Sequence, residues 1–274
     1  MGLMRLWSFR LVSSGVAAVL MSSTGLWGQS GPGSRAQLRE LTTDRPDATE
    51  SPFTVDRGHL QLEMDVASYT RNRLDGVRTT EWIWAPFNLR YGLTPTMEAG
   101  IFVVPQIRVT EQARGAAKTR TTGVGDTTLR MKKNLQGNDG GGTAYGIMAD
   151  LKLPTATNGL GNDHTEGALA FPIAYDVGAG WEGAAMTSIE FAHTGNGRRT
   201  IWVNTITFAR EIATNLGGFL ELTSAAGDGA HVATFNCGLT RPIGPALQLD
   251  GGVNVGLSRT APDLTVFAGL ARKF

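Results

Sequence analysis

The sequence predicts an all-β protein, an antiparallel up-and-down transmembrane β-barrel of about twelve strands. Three observations predict it. Apolar and polar residues alternate with a period of two, and the alternating runs reach about ten residues or more. The polar parity holds Gly, Ala, Ser and Asn rather than the Lys and Glu of a solvated face. From Leu247, one parity reads Leu247, Leu249, Gly251, Val253, Val255, Leu257, and the other Gln248, Asp250, Gly252, Asn254, Gly256, Ser258. A helical period would mix the two sets. Strands of that length, tilted, cross the hydrocarbon of a bilayer, whereas ordinary globular strands are about half as long. The competing reading is a soluble antiparallel sandwich with the apolar parity turned to an inner core.

In chain order, a targeting segment comes first. Arg5 and Arg10 precede an apolar run from Leu11 to about Leu26, interrupted only by Ser, Thr and Gly. This is the layout of a secretory signal, and it is short for a membrane-spanning helix. Residues 1–28 are expected to be removed by a cut before Gln29. Losing the two arginines takes the formal charge from +1 to −1. Residues 29–58 form a charged segment in which Pro46 and Pro52 oppose both helix and paired strand. With Asp44, Arg45, Asp47, Glu50, Asp56 and Arg57, it is dense in charge for an idle linker. It is expected at the periplasmic mouth or inside the bore, with Arg45 paired to Glu63 or Asp65; a solvated tail is the plainer alternative.

Residues 59–274 carry the barrel. The alternating runs fall near 59–69, 78–91, 96–108, 120–133, 144–153, 166–178, 181–193, 199–212, 215–223, 231–241, 246–257 and 264–274. Odd-numbered links, such as 71–77, 109–119 and 154–165, read as long loops; most even-numbered links are tight turns, as in an outer-membrane barrel. Pro86, Pro105 and Pro172 fall inside predicted strands, where each removes a ladder donor, and are expected at bulges or rims. The parity of Ile201–Ile212 is ambiguous, because Trp202, Ile206 and Phe208 compete with Ile201 and Val203. Arg272 falls on the apolar parity near the end, where it can snorkel.

If the apolar parity faces lipid, the other lines a lumen. Gln61, Glu63, Asp65, Asn88, Arg90, Glu98, Asp126, Arg130, Lys132, Asp150, Lys152, Asp250 and Asn254 then point inward. With Asp44, Arg45 and Asp47 from the preceding segment, these are the candidate substrate- and lumen-lining residues. Both signs occur, which argues against a single-sign ion filter. For any one of them the plainer role is an ion pair that satisfies a buried charge.

Other function classes find little support. The near-neutral charge argues against a nucleic-acid partner. One cysteine, Cys237, excludes an internal disulfide or a paired-cysteine metal site. None of His59, His164, His193 and His231 has a serine two residues on, so no Ser–His pair is spaced along one strand face; a cross-strand pair stays open, but no enzyme activity or cofactor is expected. Asp163, His164 and Glu166 cluster in one predicted loop, but such a group is ordinarily solvated.

The stretch Leu41-Thr-Thr-Asp44-Arg45-Pro46-Asp47-Ala-Thr-Glu50-Ser51-Pro52, then Gly58-His-Leu-Gln61-Leu-Glu63, resembles the opening of an outer-membrane transporter family described as "putative MetA-pathway of phenol degradation". The resemblance continues in Asn88-Leu-Arg90-Tyr91-Gly92-Leu93-Thr94, Gly123-Val-Gly125-Asp126 and Leu247-Gln248-Leu249-Asp250-Gly251, and ends in Gly269-Leu270-Ala271-Arg272-Lys273-Phe274. It implies a channel or transporter for passive passage of small molecules, with hydrophobic or aromatic compounds as substrates. Phe274 resembles the terminal aromatic read by the barrel-assembly machinery. The remaining expected partners are outer-membrane lipid and lipopolysaccharide, the latter reached by Arg114, Lys118 and Arg120. A non-conducting barrel with a binding or structural role is the alternative.

Overall fold

The structure, a computed structural model, describes residues 38–194, 197–227 and 229–274; the predicted signal segment lies outside them. Fifteen strands follow one another: β1 (Leu60–Leu74), β2 (Val77–Trp84), β3 (Phe87–Thr94), β4 (Met97–Val103), β5 (Gln106–Ala113), β6 (Thr119–Gly123), β7 (Thr127–Gln136), β8 (Thr143–Leu153), β9 (Glu166–Gly178), β10 (Trp181–Thr194), β11 (Gly197–Ala213), β12 (Leu216–Gly227), β13 (Ala230–Ile243), β14 (Leu247–Gly256) and β15 (Leu264–Lys273). They make a closed antiparallel barrel of twelve staves, because β2–β3, β4–β5 and β6–β7 are each one stave interrupted once. β15 closes on β1, from Gln61↔Lys273 to Arg71↔Leu264. Closure satisfies the ladder donors and acceptors that a flat sheet would leave at its edges.

The alternation sets which side each residue faces. On β12, Leu220 and Leu222 are 50 % and 49 % exposed, while Glu221 and Thr223 between them are 1 % and 3 % exposed. Apolar side chains face out and charged ones face in, the reverse of a soluble sandwich. Outward aromatics sit toward both rims. Tyr91, Tyr145 and Phe274 lie at the near rim, where the barrel begins and ends; Trp82, Phe191 and Trp202 lie toward the far rim. Arg272 lays its guanidinium over the Phe274 ring, 4.9 Å from the centroid.

The prolines correct the strand limits. Pro86 lies in the break between β2 and β3, beside Ala85 with its positive φ of 49°, and Pro105 lies between β4 and β5. Gly125, between β6 and β7, donates to Val104 O at 2.9 Å, and Ala85 N donates to Val66 O at 3.2 Å. The interruptions of three staves therefore line up beside the bulge at Asp65–Ala67 in β1. A residue without N–H opens the ladder, and aligning the openings confines the damage to one level. Pro172 stays inside β9, paired with Met186 on β10, but the β8–β9 ladder skips from Tyr145↔Ile173 to Met148↔Ala170 around it.

Several expected loops are shorter than the sequence suggests. β1 runs to Leu74, and the link expected at 71–77 is the two-residue turn Asp75-Gly76, with φ of 48° and 80°. That is the left-handed backbone a two-residue hairpin needs, and Asp-Gly supplies it. The strands run further than the sequence suggests, so only 154–165 and 257–263 remain long on the far rim. The 154–165 link covers the outer edge of β6. Thr157 N donates to Val124 O at 3.2 Å and Asn158 Nδ2 to Thr122 O at 2.7 Å. The ambiguous stretch also resolves: Ile201 and Val203 point inward, 6 % and 3 % exposed, and pack with Ala225, Val232 and Ala261, while Trp202 is 51 % exposed. The far half of the lumen is thus partly apolar.

Candidate functional site: a charged lumen holding the inner segment

Residues 43–55 lie inside the barrel as a loop that rises from the near rim and returns to it. Arg39 and Lys273 meet Asp56 at 2.7 and 3.2 Å at that rim, and Arg57 bridges to Gly92 where the chain turns into the wall. Gly92 has no room for a β-carbon, because the Val55 and Asp56 carbonyls occupy that space. At Gly269 the space is taken by the Arg45 guanidinium. In this way two glycines on the wall admit a second layer of backbone and side chain.

Wall carboxylates grip the backbone of this segment. Glu63 accepts from Asp44 N at 3.0 Å, and Glu98 from Val55 N at 2.7 Å. Glu221 accepts from Ala48 N at 2.9 Å, Thr49 N at 2.7 Å, Thr49 Oγ1 at 2.6 Å and Asn236 Nδ2 at 2.6 Å. Wall donors take the carbonyls: Arg90 Nη2 reaches Phe53 O at 3.1 Å and Asn134 Nδ2 reaches Pro52 O at 3.0 Å. A segment with neither helix nor ladder has its polar backbone satisfied by side chains projecting from strands.

Ion pairs complete the contact. Within the wall Arg90 bonds Glu63 at 2.5 Å and Glu98 at 2.8 Å, the two carboxylates that accept from the segment, and Lys132 meets Asp44 of the segment at 2.5 Å. Arg45 turns to Asp65 at 2.5 Å and Asp250 at 2.7 Å. Of its two expected partners it takes Asp65; Glu63 belongs to Arg90. Arg130 joins Glu50 at 2.8 Å to Asp150 at 2.7 Å. Asp126 and Lys152 sit higher. Lys152 pairs with Glu166, and Asp126 accepts from Ala156 N at 3.0 Å, tying down the 154–165 link. Asp47 is buried at 3 %, Asn88 at 4 %, and Gln61 donates to Thr42 O at 2.7 Å. Asn254, on β14, is part-exposed. The structure thus gathers Asp44, Arg45, Glu63, Asp65, Arg90, Glu98, Arg130, Lys132, Asp150 and Asp250 around one segment.

Glu221 and Glu50 are central to this arrangement, and neither stands among the candidates the sequence supplies. Glu221 was within reach of the same rule, since Leu220 and Leu222 mark its parity as inward. Among the described residues of the network, the carboxyl groups of Asp44, Glu50, Glu63, Asp65, Glu98, Asp150, Glu221 and Asp250 outnumber the cations Arg45, Arg90, Arg130 and Lys132. Burial pushes the Glu50 carboxyl up to about 8, with Asp44 and Asp150 adding to it and Arg130 opposing. Burial acts on Asp44 in the same sense, but Arg90, Lys132 and Arg130 together hold it below its ordinary 3.8.

These shifts fix the pH dependence of docking. Free in water, Glu50 ionises near 4.5, so docking weakens as pH rises from there to about 8. Docking through Asp44 is present above about 3.8 and lost as pH falls through its lower docked value. Protease cleavage within residues 43–55 should therefore be faster at pH 9 than at pH 5, and Glu50→Gln should flatten that rise.

A cross-strand contact invisible to local spacing joins Ser224 Oγ to His231 Nε2 at 3.0 Å on the exposed outward face near the far rim. Among the described residues no third group orients the imidazole, as nucleophile activation requires.

The fold and its contents define a transmembrane β-barrel with a charged lumen occupied by its own N-terminal segment. The chain belongs to the family described as "Putative MetA-pathway of phenol degradation", whose profile matches residues 43–274. Among solved structures it is similar to the COG4313 outer membrane channel from Pseudomonas putida F1, with a TM-score of 0.64, 15 % identity, and 82 % of this chain and 98 % of that one covered. It is also similar to the β domain of the Bordetella autotransporter BrkA, with a TM-score of 0.53, 12 % identity, and 80 % and 100 % covered. The NanC porin follows at a TM-score of 0.51, 8 % identity, and 77 % and 100 % covered. At these identities the likeness is one of fold. No curated protein matches the chain in sequence.

Proposed function

We propose that the protein is an outer-membrane channel for passive passage of small molecules, which its inner segment holds narrow or closed. The observation that carries this reading is the nature of the seal. Residues 43–55 are held almost wholly by ion pairs and hydrogen bonds to the wall, whose partners become hydrated once the segment leaves, rather than by an apolar core whose exposure water would oppose. An interior of this kind fits a passage better than a solid scaffold. By the asymmetry of such barrels the near rim is periplasmic, so the segment reaches the bore from the periplasm. The Pseudomonas neighbour is called a channel and the family description names phenol degradation, which makes aromatic compounds the first substrates to try. Insertion into the outer membrane, with Phe274 read by the assembly machinery and the far rim against lipopolysaccharide, is part of the same proposal.

The density of the contacts favours one second reading, a barrel that does not conduct. Planar-bilayer recording separates the two. The mature chain is expected to show small or rare openings, and a chain lacking residues 29–57 a larger, steady conductance with cation preference. Correctly folded barrels that stay silent in both forms would favour the non-conducting reading. Unchanged conductance and selectivity after the deletion would remove the inner segment as the obstruction.

A further inference from the structure

Beyond the apex of the inner segment, toward the far rim, the lumen holds a cavity of about 130 Å³. Ala48 and Glu50 form its floor, and its wall comes from β4 and β7 to β11. Its volume is close to that of the ~150 Å³ engineered cavity that accommodates one benzene, so a single six-membered ring is the scale of molecule it suits. Phe102, Met148, Met186 and Val203 give it an apolar, adaptable lining.

The polar lining is unbalanced. Glu50, Asp150, Glu166 and Glu190 face it, against Arg130 and Lys152. Both cations are already engaged, Arg130 by Asp150 and one oxygen of Glu50, Lys152 by Glu166. Two acceptors are left over. Glu50 Oε2 is buried without a hydrogen-bond partner, in a side chain whose residue is only 4 % exposed. Glu190, projecting inward from β10, has no hydrogen-bond or ion-pair partner among the described residues. A buried acceptor without a donor is costly, and a ligand that supplies one is correspondingly favoured.

We propose that this cavity binds a small organic cation, a flat single-ring body bearing a protonated nitrogen group that donates to Glu190 and to the free oxygen of Glu50. The ring lies against Met148, Met186 and Phe102, and the charge offsets the excess of carboxylate. An anion of the same shape meets the two unpaired acceptors and is rejected. A neutral molecule gains the apolar contact without the charge-assisted bonds. The proposal rests on the channel reading for its biological use, since it names the substrate class the passage would favour, but not for its test.

Three isosteric probes decide it: benzamidinium, benzamide and benzoate, titrated calorimetrically into the full mature chain folded in detergent at pH 8.5, above the value of about 8 to which burial pushes Glu50. Benzamidinium is expected to bind at least tenfold more tightly than benzamide, with benzoate weaker still, and Glu190→Gln to remove most of that preference. Equal binding of benzamidinium and benzamide, or full cation preference in the Glu190→Gln variant, would overturn the site. Because binding is read without current, a silent barrel that still prefers benzamidinium would reject the channel and keep the site. A conducting barrel without the preference would do the reverse.

Discussion

Replacing Arg90 with leucine is expected to release the inner segment from the lumen. Arg90 is completely buried, and its guanidinium bonds Glu63 at 2.5 Å, Glu98 at 2.8 Å and Phe53 O at 3.1 Å, with Asp44 at 3.4 Å. Its removal leaves Glu63 buried without a cation beside it among the described residues and leaves Glu98 and Asp44 chiefly to Lys132, and breaking a buried pair from one side costs roughly 3–5 kcal/mol. Glu63 and Glu98 stand on the wall beside Arg90 and accept from Asp44 N and Val55 N, so the ladder hydrogen bonds stay while docking loses Phe53 O, Asp44 and the orientation of both carboxylates. Residues 43–55 should become sensitive to protease added from the near rim while the barrel stays folded, as judged by its heat-modifiable migration. Arg90→Lys keeps the charge but not the fork and should fall between. Protection equal to the parent's in Arg90→Leu would show that the ion pairs do not hold the segment.

The second large effect is expected at Glu221. Its carboxylate accepts from four donor groups and has no cation beside it among the described residues, so Glu221→Ala probes hydrogen bonding rather than charge pairing. The variant leaves Ala48 N and Thr49 N buried without an acceptor, at about 1–3 kcal/mol each. Amide hydrogen exchange at each of residues 48 and 49 should accelerate by roughly five- to 150-fold, with strands β12 and β13 unchanged, since each 1.4 kcal/mol corresponds to tenfold. Glu221→Gln retains one accepting oxygen and should give a smaller effect. Slow exchange in the alanine variant would mean that the segment is held elsewhere.

Most of the barrel could be read from local alternation, because a strand places successive side chains on opposite faces and a bilayer demands that one face be apolar. The pattern at Leu247–Ser258 and at Leu60–Ala67 gives strand and facing at once. Where the rule gave no answer, at Ile201 and Val203, the reason is that the far lumen is itself apolar, so both parities read alike. The strand breaks at Pro86 and Pro105 were flagged by the missing donor, but their alignment with Gly125 and the Asp65–Ala67 bulge depends on register between staves, which no single stretch encodes. The same limit applies to the site. That Arg45 and Asp65 are both charged and inward is legible; that Asp250, 205 residues away in the chain, completes the pair depends on closure of β15 against β1. The Ser224–His231 contact is of this kind too. Glu221 is different: its neighbours carried the signal.

The central claim is that residues 43–55 dock inside the folded wall, and a cross-link tests it most directly. The Thr49 and Thr205 hydroxyls, the latter on β11, are hydrogen-bonded at 2.8 Å inside the lumen. In a Cys237→Ser background, Thr49→Cys with Thr205→Cys should form a disulfide almost completely on mild oxidation of the folded barrel in a bilayer. Thr49→Cys with Asn204→Cys, one residue along and facing lipid, should not. No cross-link at Thr205, or equal cross-linking at both positions, would contradict a segment docked within the lumen.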